Sequence, residues 1–281
     1  AASDVYKRQL LIRGMASGLY RFGIQTPLAK PLMTIYNSAG QVIATRTTQQ
    51  TFADFRAQGP VFQLGRTLGA FDADFTATGD STRGGDTAIV LTLEAGAYTI
   101  QITPDVDTPS NATANYDNGQ GVRYGSRELN ANLGVALLEV YDANPTANTR
   151  LYNIASRGLI QTGEGQMIVG FVVSGNGNRV LTIRGVGPAL KGFGLATAID
   201  DPTLTLYNSN GVTIGTNDNW GASPQTDQVT EITPSLGAFS LGTTSRDSVI
   251  LTRLTPGLYS AGVTPQNGPA GIGLVEVYET P

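Results

Sequence analysis

Pro202-Thr203-Leu204-Thr205-Leu206-Tyr207-Asn208-Ser209-Asn210-Gly211 concentrates apolar and β-branched residues and then stops on a turn of polar residues and glycine. Its period of two is that of a strand rather than a helix. Gly211 falls where a tight hairpin needs a positive φ, which glycine supplies without steric cost. The same pattern stands earlier in the chain as Pro31-Leu32-Met33-Thr34-Ile35-Tyr36-Asn37-Ser38-Ala39-Gly40. Reading outward from these two runs, Leu10-Leu11-Ile12-Arg13-Gly14 returns as Leu181-Thr182-Ile183-Arg184-Gly185 at the same offset of 171 (184 against 13, 207 against 36). Leu68-Gly69-Ala70-Phe71 returns as Leu236-Gly237-Ala238-Phe239, and Leu138-Glu139-Val140-Tyr141 as Val275-Glu276-Val277-Tyr278. One unit has been duplicated.

The remaining segments are also short strands between turns bearing Gly and Pro, as in Leu254-Thr255-Pro256-Gly257-Leu258-Tyr259. This predicts an all-β fold of two tandem β-sandwich units of jelly-roll or immunoglobulin-like type. Helices should be short, with residues 223–233 the best candidate. The expected division is 1–9, 10–145 and 146–281. The first nine residues can be read as the in-frame translation of a transposase-type sequencing adapter, and are set aside. Residues 151–160 and 167–174 read as two strands with no counterpart before Leu10. Either copy one has lost its first two strands, or these two belong to the first sandwich. Copy one in turn carries extra residues between Asp107 and Leu133, a loop on a constant scaffold.

Composition narrows the function. Charged residues are 14% of the chain, the net charge is −4, and there is neither cysteine nor histidine. Disulfides, thiolate metal sites and Ser-His-Asp triads are thereby excluded. There is no basic footprint for nucleic acid, and no apolar run of about 20 residues for a membrane span. A surface built of Thr, Asn, Ser, Gln and Gly suits a secreted protein or a packed assembly.

The run 200–211, with Asn217-Asp218-Asn219-Trp220-Gly221 and 254–259, resembles tandem β-sandwich repeats of large secreted bacterial proteins. It is also similar to pre-peptidase C-terminal domains. That resemblance implies an accessory, adhesive or structural part of an exported protein, located outside the cell or at its surface. Copy one departs from it, with Thr45-Arg46-Thr47-Thr48 in place of the acidic loop.

No residue is assigned a catalytic role, and no cofactor is expected beyond calcium. Asp200, Asp201, Asn217, Asp218 and Asn219 could offer calcium the oxygen ligands it prefers, although Asp and Asn are also ordinary turn residues. Trp220, Tyr116, Arg123 and Tyr124 are the candidate ligand contacts. A loop tryptophan either stacks on a sugar or plugs the end of the sandwich. Glu139 and Glu276 are expected to face solvent, and Arg13 and Arg184 to hydrogen-bond loop carbonyls. Asp72, Asp74, Asp80 and Asp86 are explained by a loop. Asn111-Ala112-Thr113 matches a glycosylation pattern.

The leading reading is a non-enzymatic extracellular structural or adhesive module that assembles by strand or edge pairing. Its partners would be other copies of itself or neighbouring repeat units. The alternative is a carbohydrate-binding accessory module of a secreted hydrolase, with a glycan as partner. An enzyme working through carboxylates alone stands third.

Overall fold

A computed structural model of the chain describes residues 7–71, 85–105, 113–117, 123–128, 134–143 and 151–281. The chain is all-β and divides into two compact units, Ala1–Thr149 and Arg150–Pro281.

The second unit begins with β9 (Asn153–Ile160) and β10 (Met167–Val173). It continues through β11 (Arg179–Val186), β12 (Pro202–Asn208), β13 (Thr213–Asn217), β14 (Ser248–Leu254), β15 (Gly257–Pro265) and β16 (Gly271–Glu279). These eight strands form two antiparallel four-stranded sheets, in the orders β14-β11-β16-β9 and β10-β15-β12-β13. Because side chains alternate across a strand, Leu181 and Ile183 of β11 and Val275 and Val277 of β16 point to the same side. They meet Leu204 and Leu206 of β12 and Ala261 and Val263 of β15 in one buried cluster. This apolar layer between the sheets defines a sandwich.

In the first unit, β1 (Arg8–Met15), β4 (Thr87–Leu93) and β8 (Leu137–Asp142) form a sheet of order β4-β1-β8. Its partner, of order β3-β2-β5, comprises β2 (Pro31–Tyr36), β3 (Val42–Arg46) and β5 (Thr99–Pro104). Ile12, Met33 and Ile35 are buried between them. Both units share the turn after their second common strand. Asn37 Oδ1 accepts from the N–H groups of Ala39 and Gln41, and Asn208 Oδ1 from those of Asn210 and Val212, each at 3.0 Å. Gly40 and Gly211 both take φ 73°, a left-handed conformation that glycine adopts without a Cβ clash. A β-bulge follows the same position in both hairpins, at Ile35/Tyr36 and Leu206/Tyr207.

Three expectations change. The segment after β3 is helical: α1 (Thr48–Arg56) and α2 (Pro60–Thr67) lie where the second unit has α3 (Thr226–Ile232) and 3₁₀ turns. Thr47 caps α1 with a complete capping box to Gln50, so a Thr-x-x-Gln signature in the sequence marked this helix. Val61 of α2 packs with Leu11 and Ala88 on the outer face of the first sheet. The expected loop between 107 and 133 contains a hairpin, β6 (Thr113–Asp117) and β7 (Arg123–Glu128). Arg8 and Gln9, set aside with the first nine residues, open β1 opposite Leu93 and Thr92. β9 pairs with β16 and β10 with β15, so both strands belong to the second unit, in line with the expected division at 146 and against the alternative that gave them to the first sandwich.

Candidate functional site

What the two units share beyond turns is an interior polar cluster. Arg184 projects from β11 opposite Glu276 of β16. Its Nε lies 3.1 Å from Glu276 Oε2, its Nη1 donates to the carbonyl of Phe239 at 2.9 Å, and its guanidinium stands 4.4 Å from the Phe239 ring centroid. Tyr278 Oη donates to Glu276 Oε1 at 2.7 Å. The first unit repeats the arrangement. Arg13 Nη1 lies 3.2 Å from Glu139 Oε2, its Nη2 donates to Phe71 O at 2.5 Å, and its guanidinium is 4.7 Å from the Phe71 ring. Tyr141 Oη donates to Glu139 Oε1 at 2.9 Å.

The Arg184 and Glu276 side chains are 1% and 6% exposed, so both charges are withdrawn from water and depend on each other. Burial, reinforced by the adjacent Glu276, pushes the Tyr278 phenol up, and Tyr141 is raised for the same reasons beside Glu139. Both phenols are therefore neutral hydrogen-bond donors at physiological pH. A second shared feature supports the following turn. Asp86 Oδ1 accepts from the N–H of Ala16 at 2.7 Å and of Gly18 at 3.2 Å. Asp247 accepts from Gly187 at 2.7 Å and from Ala189 at 3.3 Å. Together these groups tie a central strand, a neighbouring strand and two loops into one lock in each unit.

The arginine bonds to loop carbonyls are as expected. The glutamates are not solvent-facing: Glu276 is buried and Glu139 nearly so, because each lies across the strand pair from an arginine that would otherwise be buried unpaired.

The five side chains anticipated as a calcium shell are divided among other partners. Asp200 pairs with Lys191, whose ammonium holds the aspartate below the usual carboxylate range. Asp201 Oδ2 is 3.3 Å from Arg246 Nη1. Asn217 Oδ1 accepts from the Val249 N–H at 2.9 Å, and Asn219 donates to Asp218 at 2.9 Å. Asp218 stays close to Asp201, and partial burial together with that neighbouring carboxylate pushes its carboxyl above the usual range. Among the described residues, no group of three or more Asp, Glu, His or Cys is arranged to hold a metal ion.

Trp220 is 3% exposed and packs with Val229 and Val249, its Nε1 donating to Gly242 O at 3.0 Å. Its ring faces are covered by apolar neighbours, so it plugs the sandwich and offers no platform to a sugar. Tyr116 lies on β6 at the bulge, while Arg123 and Tyr124 open β7, with Asp117 opposite Arg123. Asp72, Asp74, Asp80 and Asn111 lie outside the described residues. Among the described residues, no helix is long and apolar enough to cross a membrane.

Fold and cluster together define a tandem β-sandwich protein with one buried arginine lock per unit. No family model matches the chain, and no curated protein matches it. Among solved structures, it is similar to the pre-peptidase C-terminal domain of a collagenase from Bacillus anthracis. That likeness has 12% identity and a TM-score of 0.28, covering 45% of this chain and 89% of that one. It is also similar to the VP2 subviral particle of infectious bursal disease virus, at 12% identity and a TM-score of 0.21, covering 98% of this chain and 57% of that one. At these scores neither likeness carries an argument about function.

Proposed function

We propose that this chain is a non-enzymatic structural or adhesive repeat module of an extracellular bacterial protein, whose units join through their sheet edges into larger assemblies. The observation that carries this reading is where the shared residues lie. Arg13 and Arg184, their glutamates and tyrosines, Asp86 and Asp247 all serve the interior of a unit, so duplication has kept a scaffold rather than an exposed set of reactive groups. The low charge of the chain fits surfaces that meet with few ions to desolvate. Burial of Trp220 counts against the glycan-binding alternative, which named it as one of four ligand contacts.

Sedimentation velocity of the purified chain over a wide concentration range tests the proposal. Reversible growth of larger species with concentration is expected. A single monomeric boundary at every concentration would overturn the assembly reading.

A further inference from the structure

The sequence holds four Asn-Gly pairs, at 118–119, 176–177, 210–211 and 267–268. Such a pair is chemically labile. The backbone nitrogen of the second residue can attack the side-chain amide carbon of the first, and glycine has no Cβ to obstruct the approach. The reaction needs an Asn side chain open to water and a glycine N–H that is not held by an acceptor. Asn118 and Gly119 lie outside the described residues. The other three pairs are all exposed, each in a turn between two strands of the second unit, so exposure does not separate them.

Hydrogen bonding does. In the turn between β12 and β13, the Gly211 N–H donates to Asn208 O at 3.0 Å, and the N–H groups of Asn210 and Val212 both donate to Asn208 Oδ1 at 3.0 Å. The attacking nitrogen of this pair is engaged, and the backbone on either side of it is held. In the other two turns, between β10 and β11 and between β15 and β16, nothing among the described residues accepts from the N–H of Gly177 or Gly268. A Cβ built on either glycine would meet no atom within 4 Å, so both stand in open space.

We propose that Asn176 and Asn267 are sites of spontaneous deamidation, while Asn210 is protected by its turn. The Gly177 nitrogen gives its proton to solvent and bonds to Asn176 Cγ. The Cγ–Nδ2 bond breaks, the amide nitrogen leaves as ammonia, and a cyclic succinimide remains. Water then opens the ring at either carbonyl, giving aspartate or, where the chain is rerouted through the side chain, isoaspartate. Gly268 and Asn267 follow the same steps, and water is the co-reactant in both. Each conversion sets a carboxylate, ionised at neutral pH, on a surface turn of a chain whose net charge is −4. Both turns lead into inner strands of one sheet, β11 and β16, and an isoaspartate lengthens the backbone there by one methylene.

The test incubates the purified full chain in mildly alkaline buffer and follows each pair by peptide mapping with mass spectrometry. Labelling by an isoaspartate-specific methyltransferase gives a second readout. Asn176 and Asn267 should convert at least about fivefold faster than Asn210, the weight of one intact hydrogen bond. In the chain unfolded by guanidinium chloride the three pairs should convert at similar rates, because only local sequence then acts. Gly177→Ala puts a Cβ beside the attacking nitrogen and should slow conversion at Asn176 alone. Position 177 has room for that Cβ and does not take a positive φ, so circular dichroism should show the variant folded. Asn208→Ala removes the side-chain bonds of the protected turn and should speed conversion at Asn210. Asn176 and Asn267 left intact, or Asn210 converting as fast as they do in the folded chain, overturns the assignment. Asn210 remaining the slow pair after unfolding also overturns it, since its protection would then not come from the turn.

Discussion

At the scale of single residues, the arginine lock makes the sharpest demand. An arginine and a glutamate removed from water stabilise each other only as a pair, and deleting one partner leaves a charge buried alone, at a cost of about 3–5 kcal/mol. Arg184→Ala should therefore destabilise the second unit by about that amount in urea unfolding, and Arg13→Ala the first unit by somewhat less, because Glu139 at 15% exposed retains more contact with water. Equal, near-zero effects would show that the clusters contribute nothing to folding. Asp218 gives a prediction of opposite sign. Its carboxyl is held above the ordinary range in the folded protein by partial burial and by Asp201. The folded state thus binds the proton more tightly than the unfolded state. Its stabilising contribution is full below the unfolded carboxylate range near 4 and is lost as pH rises through the raised value. Asp218→Asn removes the like charge and should raise the melting temperature at pH 7. The gain should shrink as the pH falls toward 4, and a gain independent of pH would point to another cause.

Among the elements, the helical insertion of the first unit is the one that sequence periodicity missed. No run in 48–67 keeps a long apolar stripe, and Pro60 breaks it midway. The capping box at Thr47 and Gln50 and the proline at the first turn of α2 were the legible signals. Thr47→Ala removes the side chain that accepts from the Gln50 N–H at 3.2 Å and should cost about 1 kcal/mol, measured by chemical denaturation. The hairpin turns, by contrast, were readable in full. Asn208 and Gly211 act within four residues of each other, and the bonds from Asn208 Oδ1 to Asn210 and Val212 depend on nothing distant. Strands β9 and β10 could be recognised as strands and the expected division at 146 set them with the second unit, but only their pairing with β16 and β15 settled that against the first sandwich.

For the whole molecule, two units with separate cores should unfold as two cooperative transitions. The first unit leaves Leu138 and Val140 exposed where the second buries their counterparts, and each apolar side chain fully buried contributes about 1.5–3 kcal/mol. Calorimetry of the full chain should show the first unit melting at the lower temperature. Arg13→Ala should shift that lower transition and Arg184→Ala the upper one, and the reverse assignment would contradict the burial difference. The sequence by itself determined the duplication, the strand character and the turns, because alternation and Asn-Gly turn chemistry are written within a few residues. The tertiary structure alone decided that Glu276 meets Arg184, that Trp220 is enclosed, and that Asp200 turns to Lys191 rather than to Asp218. Those outcomes depend on which strands become neighbours and in what register, and the charge of a side chain says nothing about what will stand across from it until the sheet has formed.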